Sequence, residues 1–140
     1  MALQPYLFFT NTAKEAMTRY HEIFGGTLEL MTFADMPDTE SAPPGVSPDG
    51  VMHSALMFGD GDVILASDDP SGDGAGVKGA ALTLMLADQD EARRLFDALA
   101  EDGVVHMELA ETFWSPMFGS LVDRFGVSWM ISVESEGGAS

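Results

Sequence analysis

The sequence predicts an α+β fold: two tandem βαβββ modules forming a curved mixed sheet around a cleft. Three observations predict it. First, residues 4–26 and 80–102 align without a gap. Gln4-Pro5-Tyr6-Leu7-Phe8-Phe9 faces Ala80-Ala81-Leu82-Thr83-Leu84-Met85, and Thr12-Ala13-Lys14-Glu15-Ala16 faces Asp88-Gln89-Asp90-Glu91-Ala92. Tyr20 and Ile23 face Phe96 and Leu99, and a looser match sets Gly61–Ala66 against Phe125–Met130. Second, each copy reads as strand, helix, then three strands, as a duplicated supersecondary unit should. Third, 140 residues suit one domain over 1–140, whereas either half alone would bury too little surface. Module one covers about 1–69, the linker about 70–79 and module two about 80–134.

The elements follow in order. Leu3 to Phe9 is short, apolar and aromatic, and reads as a buried strand. Thr12 and Glu15 have the capping-box spacing, and Ala16, Tyr20, Ile23 and Phe24 recur at helical intervals. Gly25-Gly26 stops that helix. Thr27 to Phe33 alternates as a second strand. Ala34 to Gly50, with four prolines and four acids, is a long loop of the kind that forms lids. Val51 to Phe58 and Val63 to Ser67 are strands joined by the hairpin signal Gly59-Asp60-Gly61-Asp62. Asp68 to Gly79 is rich in Gly, Asp and Ser and reads as the linker. Ala81 to Leu86 opens the second copy. Asp88 and Glu91 cap a helix carrying Ala92, Leu95, Phe96 and Leu99, which Gly103 ends. Val104 to Leu109, Gly119 to Asp123 and Val127 to Val133 are the last strands, and the tail after Glu134 is acidic and glycine-rich.

Composition narrows the function classes. A net charge of −17 with six Lys and Arg repels phosphate backbones and anionic lipid, so neither nucleic acid nor a membrane is an expected partner. Hydrophobic residues at 46% supply a core. With no cysteine there are no disulfides, thiolate nucleophiles or thiolate metal ligands. No signal peptide and no apolar run near the ~20 residues of a bilayer span are visible, so a cytoplasmic location is expected. The ten methionines read either as a deformable apolar lining or as core filler.

Several blocks resemble the vicinal oxygen chelate superfamily (glyoxalase I, bleomycin-resistance proteins, extradiol dioxygenases), and within it the PhnB-like branch. They are Pro5-Tyr6-Leu7, Ala16-Met17 with Tyr20, Phe24-Gly25-Gly26, Asp35-Met36-Pro37, Val51-Met52-His53 and Ala66-Ser67-Asp68. Glu111-Thr112-Phe113-Trp114, Phe118-Gly119, Asp123-Arg124-Phe125-Gly126-Val127 and Trp129-Met130-Ile131 complete the set. The resemblance implies the glyoxalase/bleomycin resistance fold, a small-molecule ligand in the inter-module cleft, and a homodimer, for which short modules with open sheet edges give a physical reason. It also implies a divalent metal held by His and Glu on the first and last strands of the modules. Here those positions fall on Pro5, on or beside Ala66, on Ala81 or Leu82, and on or beside Met130, and none of these residues can ligate such an ion, so no cofactor and no divalent metal is expected. PhnB-like sequences are sometimes labelled ubiquinone-related methyltransferases. No glycine-rich strand-to-helix loop suited to a nucleotide cofactor is visible to support that activity.

Candidate site residues follow. His53 lies mid-strand, where the resemblance also places a histidine. It is either a cleft-facing imidazole able to act as acid, base or hydrogen-bond donor, or a structural residue. Glu111 is a polar anchor beside Phe113 and Trp114, and burial against them would make it a usable acid or base. The expected ligand contacts are Tyr6, Phe113, Trp114 and Trp129, with Trp129 and Met130 facing opposite sides of their strand. His21 and His106 read as surface residues, and Asp123-Arg124-Phe125-Gly126 reads as a turn. Two functions stand open: metal-free binding of a small cationic or aromatic molecule, or a lyase or isomerase using His53 and Glu111. A third reading is a degenerate module serving protein interaction.

Overall fold

Period-2 alternation sets the first element: strand β1 (Tyr6–Phe9) buries Leu7 and Phe9 and turns Tyr6 and Phe8 outward. The structure, a computed structural model, describes residues 1–35, 48–69 and 78–134. Helix α1 (Ala13–Phe24) buries Ala13, Ala16, Met17, Tyr20 and Ile23, a single stripe at helical spacing. Strands β2 (Thr27–Thr32), β3 (Val51–Phe58) and β4 (Asp62–Asp68) complete a sheet of order β1-β4-β3-β2, with β1 parallel to β4 and the other pairs antiparallel. Helix α1 packs on β2, β3 and β4, where Leu56, Ile64 and Ala66 are buried.

The second unit repeats this plan. Strand β5 (Leu82–Leu86), helix α2 (Gln89–Ala100) and strands β6 (Val104–Ala110), β7 (Met117–Val122) and β8 (Ser128–Val133) give a sheet of order β5-β8-β7-β6. The α2 residues Ala92, Leu95, Phe96 and Leu99 are buried, as are Leu109, Leu121, Trp129 and Ile131 of the sheet. Gly119 is required under the helix, because a Cβ there would stand 2.8 Å from the Phe96 ring. The chain thus divides into two compact units, Met1–Gly76 and Val77–Ser140.

The repeat is present, but not in the gapless register. Phe9 accepts a backbone hydrogen bond from Asp69 N (2.7 Å), and Leu86 accepts the matching one from Glu134 N (2.8 Å). Phe9 therefore corresponds to Leu86 rather than Met85. The helices keep the original correspondence, so the extra residue sits in the connection: Thr10-Asn11-Thr12 before α1 against Ala87-Asp88 before α2, with Asn11 at φ 65°. The last strands slip likewise. Ile64, Ala66 and Asp68 point to the helix side, as Trp129, Ile131 and Val133 do, so Leu65, not Ala66, corresponds to Met130. In a strand a one-residue slip moves every side chain to the other face, which matters for the site.

The caps differ between copies. Thr12 makes no side-chain cap. Instead Asp68, at the end of β4 rather than in the linker, accepts from Ala13 N (2.9 Å) and Val51 N (2.8 Å), tying the start of α1 to β3. Helix α2 is capped as expected by Asp88, which accepts from Asp90 N and Glu91 N. A hydrogen bond from Arg94 holds the Glu91 carboxyl below its ordinary range. That pair is exposed and adds little stability.

Strand ends move by a few residues. β1 starts at Tyr6 instead of Leu3, and Phe33 begins a short 3-10 turn (Phe33–Asp35) instead of ending β2. Residues 36–47 of the expected loop, 70–77 of the linker and 135–140 of the tail lie outside the described residues.

Candidate functional site

Each helix covers one face of its sheet, and the chemistry collects on the other. In the first unit the strand registers place Tyr6 and Phe8 of β1, Leu65 of β4, His53, Ala55 and Met57 of β3, and Met31 of β2 on that helix-free face. Tyr6 Oη lies 3.3 Å from His53 Nδ1. The Tyr6 ring stands 5.0 Å from Phe8 and 5.9 Å from the His53 ring, centroid to centroid. Phe8 is 60% exposed and Met31 46%, large values for side chains of this hydrophobicity.

A β-bulge shapes the same region. Met31 pairs with His53 but Thr32 pairs with Val51, so Met52 is an extra residue on β3. Val51 and Ser54 are buried toward the helix, and alternation from each sets its neighbour, Met52 or His53, on the helix-free side, where both are half-buried.

In the second unit the helix-free face carries Thr83, Met85, Met107, Phe118, Ser120 and Met130. The Glu111–Pro116 loop is framed by short-range bonds. Thr112 N donates to Ser115 O (2.9 Å), Ser115 N donates to Thr112 Oγ1 (3.1 Å), and Ser115 Oγ donates to Val133 O (2.7 Å). This frame presents Phe113, which is 97% exposed, and stacks Trp114 edge-on against Phe113 (4.7 Å) and Phe118 (5.5 Å).

The sequence-predicted residues therefore separate into groups. The structure brings Tyr6 and His53 together, and Phe113 and Trp114 together. Glu111 is exposed, so the burial on which its use as an acid or base depended is absent. Trp129 is 1% exposed, and its indole Nε1 donates to Asp123 Oδ2 (2.9 Å). It is a core residue, and its neighbour Met130 is the one on the helix-free face. Phe8 went unremarked, although its position two residues from Tyr6 on one strand marks a shared face. His106 is exposed, and His21 Nε2 donates to Gly26 O (3.0 Å) at the end of α1.

A divalent ion of the superfamily type does not fit these residues. Pro5 contributes only its carbonyl to the ladder, and Ala66 is buried on the helix side. The positions that do face outward on the outer and last strands are Tyr6, Phe8, Leu65 and Ser67 in one unit, and Thr83, Met85, Met130 and Ser132 in the other. None carries an imidazole or carboxylate. Among the described residues no group of three or more His, Asp or Glu is placed to hold a metal ion.

Comparison with known proteins agrees with the fold. Residues 1–132 match the family described as 3-demethylubiquinone-9 3-methyltransferase. The chain is 35% identical to Protein YjdN of Escherichia coli (strain K12), over 95% of each chain. It is similar to protein PA1353 from Pseudomonas aeruginosa (42% identity, TM-score 0.85, 96% of this chain and 98% of that one). It is also similar to the PhnB protein from Bacillus cereus (25% identity, TM-score 0.75, 95% and 99%). A glyoxylase/bleomycin resistance protein/dioxygenase domain from Frankia sp. EAN1pec shares the fold at 10% identity (TM-score 0.61, 95% and 94%). The chain belongs to the family described as 3-demethylubiquinone-9 3-methyltransferase, as a PhnB-like protein with the glyoxalase/bleomycin resistance fold.

Proposed function

We propose that this PhnB-like protein binds a small aromatic or cationic molecule on the helix-free face of its first sheet, without a divalent metal. The observation that carries the reading is the Tyr6–Phe8–His53 cluster: two exposed rings beside an imidazole held by a phenol oxygen at 3.3 Å. Rings supply stacking area, Tyr6 and His53 supply a polar anchor, and Met31 and Met57 supply a deformable apolar border. The charge of −17 favours a cation over an anion. Phe113 and Trp114 are the corresponding aromatic contacts of the second unit.

The turns into α1 and α2, Thr10-Asn11-Thr12 and Ala87-Asp88, contain no glycine and so lack the backbone cradle of a nucleotide cofactor. Methyl transfer is not part of the proposal. Proton transfer by His53 and Glu111 has weaker support, because Glu111 is exposed. The reading includes a homodimer, supported by the edge strands that each four-stranded sheet presents.

Fluorescence titration with acriflavine, a planar aromatic cation, tests the proposal. Saturable 1:1 binding is expected, weakened at least about tenfold in Tyr6→Ala and Phe8→Ser, the loss of roughly one stacked ring contact. Unchanged affinity in both variants would remove this face as the site. A stoichiometric Zn, Ni, Mn or Fe in native mass spectra of the purified protein would contradict the reading without a divalent metal.

A further inference from the structure

We propose that Met31, Met52 and His53 form a binding site for a soft monovalent cation, Cu(I) or Ag(I), on the helix-free face of the first sheet. Met31 and His53 are direct cross-strand partners. Direct partners on one face hold their Cβ atoms about 4.5–5.5 Å apart, within reach of a shared ligand for side chains of this length. The bulge then adds Met52 to the same face, next to His53, where regular alternation would have sent it under the helix. Pairing and bulge together set two thioethers and one imidazole at neighbouring positions of one sheet face.

The surroundings suit such an ion. Tyr6 Oη at 3.3 Å occupies the Nδ1 side of the His53 ring. An outer partner of this kind fixes ring orientation in metal-bound histidines and directs Nε2 toward the metal. Met31 is 46% exposed, so its side chain stands open to solvent rather than in the core. Thioether sulfur and imidazole select Cu(I) over Mg, Ca or Mn, which require oxygen donors. Glu29 shares this face two residues along β2, opposite Ala55, and adds to the negative field that draws cations inward. The donors differ from the first- and last-strand positions of the superfamily's divalent site, and the inference does not depend on an organic ligand.

The test uses the full-length chain and the ions themselves. In native mass spectrometry with silver nitrate, one Ag(I) per chain is expected. In anaerobic competition against bicinchoninate, one Cu(I) is expected to transfer to the protein. Met31→Leu, Met52→Leu and His53→Gln should each weaken binding at least about tenfold, with circular dichroism unchanged. Met85→Leu, which removes an exposed methionine of the second unit, should bind as the parent does. The proposal falls if the parent takes up no ion, if the Met31→Leu/Met52→Leu double variant binds equally well, or if Met85→Leu loses as much. Phe8→Ser removes a ring but no sulfur or imidazole donor, so Ag(I) uptake should persist in that variant while acriflavine binding weakens. Failure here and failure of the small-molecule reading are thereby distinguishable.

Discussion

Asp123→Ala should lower the unfolding free energy by about 3–5 kcal/mol, because two buried donors lose their acceptor at about 1–3 kcal/mol each and the half-buried Phe125 N–H loses it at smaller cost. Asp123 is 5% exposed. Oδ1 accepts from Phe125 N (2.9 Å) and Val127 N (3.0 Å), and Oδ2 accepts from the Trp129 indole (2.9 Å). Val127 and Trp129 are each 1% exposed, so water cannot replace the carboxylate at either without opening the core. Asp123→Asn should cost less, since its amide oxygen still serves the turn, but its NH2 then confronts the indole N–H. Urea unfolding of both variants and of Trp129→Phe measures this. If Asp123→Ala lost under about 1 kcal/mol, the carboxylate would not be the organiser of the β7–β8 turn.

Gly26→Ala should cost at least about 3 kcal/mol and could leave the chain unfolded at 37 °C. Gly26 has φ +83°, and an added Cβ would enter the Met57 carbonyl oxygen and stand 2.9 Å from Phe58 Cα. Both obstacles are backbone, which cannot swing aside. Gly103, which directly precedes β6 as Gly26 precedes β2, meets Val122 O and stands 3.0 Å from Asp123 Cα, so Gly103→Ala should behave similarly. Gly79 also has positive φ (+78°) but open space around it, and Gly79→Ala should cost only the left-handed penalty of about 1–2 kcal/mol. Thermal unfolding of the three variants separates close approach from φ strain. Equal losses at Gly26 and Gly79 would contradict the close-approach explanation.

These two cases show what the chain makes legible. Both helices and the eight strands follow from local periodicity, and the Asp123 turn and the Asp88 cap follow from residues four or fewer positions away. The α1 cap does not: Asp68 lies 55 residues from Ala13, while Thr12 and Glu15 have a capping-box spacing that is not used. The duplicated pattern is visible in Ala16/Ala92 and Glu15/Glu91. The one-residue slip in the strands is hidden, because an extra turn residue such as Asn11 leaves no apolar signature.

That slip explains the partial legibility of the site. Alternation alone places Tyr6 opposite in sense to Leu7 and pairs it with Phe8. Choosing between Trp129 and Met130 needed the face that packs on α2, and Asp123, six residues before Trp129, supplies the buried partner that holds the indole inward. The methionines divide in the same way. Met17 fills the core, whereas Met31, Met57, Met85 and Met107 stand on helix-free faces.

The central claim is that ligand recognition belongs to the helix-free face of the first sheet. Methionine-methyl NMR of the labelled protein during acriflavine titration tests it most directly. The account predicts that Met31, the cross-strand partner of His53, and Met57 on the same face, 46% and 37% exposed, shift in proportion to occupancy while buried Met17 stays in place. Saturable binding that leaves Met31 and Met57 unmoved would contradict it.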